Sequence, residues 1–230
     1  MNEFIESSAF FGVFISFTAY YIGIRLKKRF NYSLCNPLII AIIIVISFLL
    51  ICNINVDAYT NSSQYITYLL TPATICLAVP LYEQFEMLKH NYKAILAGIT
   101  MGVLGSMLSI LGLSIAFGLS HIEYVTFLPK SITTALGIGV SEELGGYISI
   151  TVISIVITGI SGNIFADKVL SLFKITEPVA KGIALGTASH AMGTVKAMEM
   201  GPIEGAMSSL SIVVAGFFTV IGASVFANLL

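Results

Sequence analysis

The sequence has few charged residues for its length. Of its 230 residues, 57% are hydrophobic and only 10% are charged, whereas a soluble globular domain is usually about a quarter charged. The chain therefore lacks the polar residues that a water-soluble fold of this size needs on its surface. The formal net charge is −1, so no excess of basic residues indicates a nucleic-acid partner.

Other signals are also missing. The three cysteines, Cys35, Cys52 and Cys76, lie in apolar stretches without a CxxC motif, which argues against a disulfide framework. Glu3 and Glu6 stand where a signal peptide would carry positive charge, so we expect no cleaved leader. HExxH, GxSxG, GxxxxGK[ST] and CxxCH motifs are absent. We expect neither enzymatic activity nor a cofactor, and the three histidines are too scattered for a metal site.

Long runs without charge dominate the sequence instead. Six runs of 18 to 27 residues contain no Asp, Glu, Lys or Arg: 7–24, 30–56, 58–82, 94–120, 144–166 and 205–230. A helix that spans a bilayer needs about 20 mostly apolar residues. The sequence therefore predicts an all-α integral membrane protein with about seven transmembrane helices plus one broken or re-entrant segment.

The positive-inside rule orients these helices. The densest basic cluster follows the first helix, which places that loop in the cytoplasm. The predicted spans are Ser7–Ile24, Pro37–Asn53, Tyr65–Leu88, Ala94–Leu119, Ile148–Ala166, Gly182–Met198 and Ala206–Leu229. Gly182–Met198 is expected to cross outward and Ala206–Leu229 to return inside.

Residues 121–147 interrupt this pattern, because their apolar pieces are too short to cross separately. The loop after the next helix carries Lys168, Lys174 and Lys181, which favours the cytoplasm. Both observations agree if residues 121–147 enter and leave on the outer side as a broken hairpin.

An internal repeat is a further hypothesis. Leu70–Thr74 aligns with Leu185–Ser189 at an offset of 115 residues, half the chain. The single transmembrane domain 1–230 would then consist of halves 1–120 and 121–230 in opposite orientations. Inverted repeats with broken helices are typical of secondary transporters.

Lys130 is the first candidate site residue, because an ionisable group at membrane depth is expensive and normally functional. Ser131, Thr133 and Thr134 supply hydroxyls beside it, and a helix that starts at Pro129 would direct free N–H groups at an anion. The alternative is that the Lys130 amine reaches to the membrane interface.

Two further polar groups are candidates for proton coupling. Glu142 precedes a glycine pair at 145–146, where a backbone break is expected, and either pairs with Lys130 or belongs to a solvated loop. His190 lies on a predicted helical face of small residues, with Thr187 and Ser189 nearby. It either binds substrate and relays protons or makes a structural hydrogen bond between helices.

Prolines mark the third segment. Pro72 and Pro80 break a helix and free carbonyl groups that need partners or line a cavity. With Thr71 and Thr74 beside it, the region of Pro72 is a candidate for the other half of a central site.

Several longer stretches resemble one family. Leu128-Pro129-Lys130-Ser131-Ile132-Thr133-Thr134, Ser141-Glu142-Glu143-Leu144-Gly145-Gly146 and Leu185-Gly186-Thr187-Ala188-Ser189-His190-Ala191-Met192-Gly193-Thr194 are similar to segments of the LrgB/CidB family of bacterial membrane proteins. The stretches 72–82 and 205–210 resemble that family too. One departure is Ala135, where the family usually has a proline.

The resemblance implies a multi-pass protein of the cytoplasmic (inner) membrane, often paired with a small LrgA/CidA-type membrane partner. Two functions compete. One is a holin- or antiholin-like role in modulating murein hydrolase activity and cell lysis. The other is transport of small monocarboxylates such as glycolate, glycerate or pyruvate, as in related proteins.

The residues themselves favour the carrier, because a buried lysine, a buried histidine and broken helices would converge on one site. We expect alternating access with a small carboxylate anion bound at Lys130, and the lipid bilayer as surroundings. A homo-oligomer is compatible with either function.

Overall fold

The computed structural model describes residues 8, 10–30, 36–76 and 78–230. The described residues form helices and their connections, without a β-strand. The α-helices are α1 Phe11–Phe30, α2 Pro37–Ile51, α3 Val56–Ser62, α4 Gln64–Tyr68, α5 Leu70–Cys76, α6 Ala78–Glu83, α7 Phe85–Phe117, α8 His121–Phe127, α9 Thr134–Glu143, α10 Ile148–Leu172, α11 Pro178–Met200 and α12 Pro202–Phe226, followed by a 3₁₀ turn, Ala227–Leu229.

Local sequence explains where several helices begin. The Asn36 side chain accepts a hydrogen bond of 2.8 Å from the Leu38 N–H, and Pro37 occupies the first helical position of α2. Ser120 and Glu123 form a capping box at the start of α8. Hydrogen bonds from the Ser120 N–H and hydroxyl to the Glu123 carboxylate lower the pKa of Glu123.

The chain divides into two compact units, residues 1–76 and 77–230. In the first unit, α1 packs against α2. Gly23 lies so close to Pro37 that an added β-carbon would sit 2.5 Å from the Pro37 carbonyl oxygen. The Gly12 N–H donates to Ser62 Oγ at 2.9 Å, which ties α3 to the start of α1.

The second unit is built on α7, α10, α11 and α12. Helix α11 packs against α7, α10 and α12, while α12 also contacts α6 and α7. Among the described residues, three helical stretches are long and apolar enough to span a membrane: Lys89–Phe117, Ile148–Leu172 and Pro202–Leu229. Pro37–Ile51 in the first unit is a shorter apolar helix.

Large apolar side chains point outward along these helices. Leu108, Leu113, Ile157 and Phe217 are each more than half exposed. The interior is correspondingly rich in small and hydroxylated residues, including Ser114, Thr151, Ser208 and Ser211. Large apolar side chains on the outside, around an interior that also holds many hydroxyl groups, are typical of a helical membrane protein.

Residues 121–147 form a hairpin, here called the first hairpin. Helix α8 enters, the chain turns at 128–133, and α9 returns. The Tyr147 N–H donates to Thr126 Oγ1 at 2.8 Å, which brings the end of the hairpin beside its entering limb. A β-carbon on Gly137 would lie 3.5 Å from the Pro129 carbonyl oxygen. The expected broken segment is confirmed.

Helix α11 is also a hairpin, here called the second hairpin. Its backbone is non-helical at Ser189 and His190, which separate an incoming limb, 178–188, from an outgoing limb, 191–200. Gly193 contacts the Leu185 carbonyl oxygen, although a straight helix would place these residues about 12 Å apart. Gly186 and Thr194 likewise both contact Ser208 of α12. The chain therefore reverses direction at its tip.

The two hairpins open at opposite ends of α10. The first hairpin leads directly into Ile148, where α10 begins, and the second follows Leu172, where α10 ends. At the far end of α12, the Phe226 carbonyl accepts a 2.9 Å hydrogen bond from the Tyr124 hydroxyl of the first hairpin. Helix α12 thus runs from the open end of the second hairpin to the open end of the first.

The predicted topology needs three corrections. The third span, Tyr65–Leu88, is broken into α4, α5, α6 and the start of α7, because prolines 72 and 80 fit the first turns of new short helices. The span predicted at Gly182–Met198 does not cross, since each limb is only about 15 Å long, half a bilayer. The last helix, α12, consequently runs antiparallel to α10, whereas the prediction had both helices crossing in the same direction. The seven crossings are not confirmed.

Site-directed labelling tests the reversed topology. In a cysteine-free background, Glu177→Cys and Pro202→Cys are expected to react with a membrane-impermeant maleimide from one face of the membrane. Ile122→Cys and Tyr147→Cys are expected to react from the other face. Reaction of Glu177→Cys and Pro202→Cys from opposite faces would contradict the second hairpin.

Candidate functional site

The tip of the first hairpin and the incoming limb of the second hairpin meet the same face of α7 near its middle. Gly98, Gly102 and Ser106 follow one another at intervals of four residues and so lie on successive turns of one face. Gly102 is about 20 Å from each end of the Lys89–Phe117 span. The tip regions therefore lie at the depth where unwound backbone must be covered by protein.

The first hairpin brings Lys130 and Ser131 to this face. Lys130 is half-buried, and its Nζ donates to Ser131 Oγ at 3.0 Å and to Ser106 Oγ at 3.4 Å. The Ser106 and Ser131 hydroxyl oxygens are 3.1 Å apart. Among the described residues, Lys130 forms no ion pair. A cationic group is thus held at mid-span by hydroxyls alone.

Thr133 and Thr134 stand at the start of α9. Both are half-buried, and Thr133 is the N-cap residue without a side-chain capping bond. The sequence predicted a helix that starts at Pro129. The helix begins at Thr134 instead, because residues 128–133 form the turn of the hairpin. The predicted N–H groups therefore belong to α9.

A network of buried hydroxyls fastens the first hairpin to α10. Thr151 Oγ1 lies 2.7 Å from Ser141 Oγ and 2.8 Å from the Thr126 carbonyl oxygen. A β-carbon on Gly146 would lie 2.7 Å from Ser141 Oγ, so only glycine fits there. Ser141, and not its acidic neighbours, is the buried member of this motif.

Glu142 lies outside this network. Both Glu142 and Glu143 are exposed, and neither pairs with Lys130 in the described part of the chain. The pairing of Glu142 with Lys130, one of the alternatives left open by the sequence, is therefore not formed, and a role of Glu142 in proton coupling stays a prediction. Glu143 is the last residue of α9, and the chain turns two residues later at Gly145, which has a φ of +75°.

The second hairpin turns at a strained residue. His190 has φ 41° and ψ −135°, a backbone conformation that residues other than glycine rarely adopt. Its ring lies in the space that a side chain at Gly159 would fill, with His190 Nε2 only 2.8 Å from the position of a β-carbon there. Nε2–H donates to the Ile155 carbonyl at 3.1 Å. Ser189 occupies the space beside Gly162 in the same way.

The predicted small-residue face is split by this reversal. Gly182 and Gly186, on the incoming limb, approach α12, and β-carbons there would lie 2.5 Å from the Glu204 and Ser208 carbonyl oxygens. Gly193, on the outgoing limb, faces the incoming limb instead. His190 is buried as expected, but at the tip of a hairpin and not on one straight face.

The outgoing limb is fastened by polar contacts. Asn163 Nδ2 donates to the Met192 carbonyl at 3.0 Å, and the Thr194 and Ser208 hydroxyls are 2.7 Å apart. Near the open end of the hairpin, Lys196 forms a 2.8 Å ion pair with Asp167 of α10. These contacts join the limb to both α10 and α12.

The incoming limb borders a groove along α7. The groove has a volume of about 560 Å³, and ten residues line it: Asn91, Ala94, Gly98, Gly102, Glu177, Val179, Ala180, Ile183, Ala184 and Thr187. Thr187 closes its deep end, because a β-carbon on Gly102 would lie 2.9 Å from Thr187 Oγ1. One turn further along α7, about 6 Å away, Ser106 binds Lys130.

The structure thus brings Lys130, Ser131 and Thr187 to neighbouring turns of α7, with Ser189 and His190 following at the second tip. Pro72 is exposed on α5 in the other unit, and the side chain of Thr74 lies outside the described residues. Their roles stay predictions.

Sequence reasoning missed several residues of the site. Ser106, Thr151, Gly159 and Gly162 position the tips, but they lie in uninterrupted helices where small residues serve packing in general. The spacing of three between Gly159 and Gly162 was the available signal.

Comparison with known proteins identifies relatives over nearly the whole chain. The LrgB-like family matches residues 16–229. The holin-like protein CidB of Staphylococcus aureus strain N315 is 39% identical over 214 residues, covering 93% of this chain and 92% of that protein. The antiholin-like protein LrgB of Bacillus cereus strain B4264 is 35% identical over 213 residues, covering 92% and 93%. No solved structure matches the chain.

These names overturn the expected function. Holin-like and antiholin-like relatives support the lysis-control alternative, and the monocarboxylate carrier with its carboxylate ligand is wrong. The convergence of lysine, histidine and broken helices is real, but it does not identify a carrier, because polar residues at membrane depth serve any device that responds to or passes ions.

The fit of the second tip against α10 gives a prediction. Gly159→Ala is expected to lower the stability of the purified protein by about 1–3 kcal/mol, because the new β-carbon overlaps the His190 ring and Met192. Gly112→Ala is the matched control, since no atom lies within 4 Å of a β-carbon there. Thermal unfolding in detergent measures both, and equal midpoints for the two variants would contradict the packing described.

Proposed function

We propose, from the premise that the chain belongs to the LrgB-like family, that it is a holin-like membrane protein that promotes cell lysis. The observation that carries the proposal is 39% identity to holin-like CidB over more than nine tenths of both chains. A match of that extent spans both hairpins and α7.

The architecture supports this proposal. Apolar side chains cover the spanning helices, while Lys130 and buried hydroxyls lie at mid-span. A membrane protein that only anchors a partner needs no such interior, since each polar group at that depth is costly. A protein that changes the permeability of a membrane needs polar groups inside it.

The proposal includes the cytoplasmic membrane as the location and a small membrane protein of the LrgA/CidA type as the partner. Control of murein hydrolase activity would follow from changes in the membrane, without an enzymatic step in this chain. The outer apolar faces of the spanning helices offer surface for such a partner or for further copies of the chain.

An antiholin-like role is the second candidate, because relatives at 35% identity carry that name. The two roles predict opposite effects on lysis. A holin-like protein accelerates autolysis, whereas an antiholin-like protein delays it.

Expression in a bacterial host that lacks its own relatives tests both. Wild type is expected to raise the rate of detergent-induced autolysis and the murein hydrolase activity released from the cells. Gly112→Ala is expected to act like wild type, and Gly159→Ala to act less at equal amounts in the membrane. Slower autolysis would establish the antiholin-like role, and an unchanged rate at full expression would contradict both.

A further inference from the structure

We propose that the incoming limb of the second hairpin is a gate, which pivots at Ser189–His190 and opens the groove along α7 through mid-span to small inorganic anions. This inference rests on the proposed function, because it describes how a holin-like chain would make a membrane permeable. Three features of the second unit support a gate: the two limbs are fastened unequally, the residue between them is strained, and the groove ends at one contact.

The two limbs of the hairpin are held very differently. The outgoing limb makes hydrogen bonds to Asn163 and Ser208 and an ion pair with Asp167. The polar side chains of the incoming limb are Lys181 and Thr187, and among the described residues neither bonds to another helix. Thr187 Oγ1 donates to the Ile183 carbonyl of its own limb at 2.7 Å. Within the described part of the chain, packing contacts therefore hold the incoming limb against other helices, with Ile183 and Leu185 buried.

Those contacts favour sliding over interlocking. The incoming limb meets α12 through Gly182 and Gly186, and it meets α7 across Gly98 and Gly102. Gly98 and Gly102 carry no side chains, so Ile183 and Thr187 of the limb rest on the α7 backbone at these positions and do not interlock with α7 side chains. The groove of about 560 Å³ leaves room for the movement on the α7 side.

The pivot lies between the free limb and the fastened limb. His190 is held at a positive φ by the Nε2–H bond to Ile155 and by the ring contact with Gly159. Strained backbone of this kind persists only where the surroundings impose it. Ser189, at φ −136° and ψ 18°, connects this anchored residue to the incoming limb, and its own side chain packs against Gly162. Rotation about the Ser189 N–Cα bond therefore reorients the limb while the Ser189 and His190 side chains stay in place.

The route ends at one contact. From Asn91 and Glu177 at its mouth, the groove runs along α7 to Thr187, which touches Gly102. Behind this contact lies Lys130, bound to Ser106 and Ser131. A cation without an acidic partner in the described residues attracts anions, and hydroxyls solvate them, so the passage beyond the gate fits small anions such as chloride.

A disulfide across the closing contact tests the gate. In a background with serine at positions 35, 52 and 76, Gly102→Cys/Thr187→Cys joins α7 to the incoming limb, since the β-carbons would be 3.2 Å apart. The control is Gly205→Cys/Met198→Cys, with β-carbons 3.6 Å apart, which joins the fastened outgoing limb to α12.

Both pairs are reconstituted in liposomes that contain a chloride-quenched dye. The oxidised gate pair is expected to admit chloride no faster than protein-free liposomes, and reduction is expected to restore entry to the level of the cysteine-free parent. The oxidised control pair is expected to match the parent before and after reduction. Gel mobility confirms that each disulfide has formed.

A second variant opens the gate without a cross-link. Thr187→Ala removes the closing contact and is expected to raise the rate of chloride entry about tenfold. That ratio corresponds to a contact that stabilises the closed state by about 1.4 kcal/mol. Thr100→Ala is the matched control, because Thr100 makes the same hydrogen bond to its own helix, to the Leu96 carbonyl, but lies outside the groove.

Two results would overturn the gate: chloride entry that is the same with the gate pair oxidised or reduced, and equal entry for Thr187→Ala and Thr100→Ala. Either result leaves the lysis experiment in cells untouched, so failure of the gate is separate from failure of the holin-like function. If potassium and chloride enter equally fast through Thr187→Ala, the assignment to anions is wrong.

Discussion

The second unit depends on one constraint: backbone that leaves the helical conformation at the middle of a membrane must be covered by protein. Both hairpins turn at that depth, so each needs a close neighbour. The neighbours are built from the smallest side chains, with Gly159 and Gly162 receiving the tip at Ser189–His190. Ser106 and Thr151 supply hydroxyls to the first hairpin. Apolar residues of ordinary size at these positions would hold the tips away and leave polar backbone facing lipid.

The same constraint explains the arrangement of the hairpins around α10 and α7. A limb of about 15 Å covers half a bilayer, so a single hairpin leaves the other half open. Two hairpins that enter from opposite ends of α10 fill both halves and meet on the face of α7 that carries Gly102 and Ser106. The polar residues near the two tips, Lys130 and Thr187, are thereby about one helical turn apart although 57 positions separate them in the sequence.

Hydropathy and charge identified part of this fold in advance. The break at residues 121–147 was visible because Pro129, Lys130 and the glycine pair interrupt an apolar run. The second hairpin was not visible, because residues 182–195 contain neither a proline nor a charged residue. The reversal of the chain depends instead on the positive φ of His190. Its length also resembled a span, which is why it was predicted to cross. The partial burial of Lys130 agrees with the sequence, whereas the sequence left the position of Glu142 open, because a carboxylate beside a glycine pair fits a buried ion pair as well as a solvated loop.

Function was harder to predict than position, because one set of physical features fits more than one task. A lysine bound by hydroxyls, a strained histidine and a helix reversal at mid-span all indicate a polar interior that changes shape. A lytic function imposes an additional requirement, since a protein that permeabilises a membrane must leave it sealed until it is needed. Van der Waals contacts between glycines and a short helical limb meet that requirement, because they close without the hydrogen bonds that would make opening expensive in lipid. The fastened outgoing limb then holds the pivot in place, so that the seal and the capacity to open reside in the same eleven-residue segment, Pro178–Ala188.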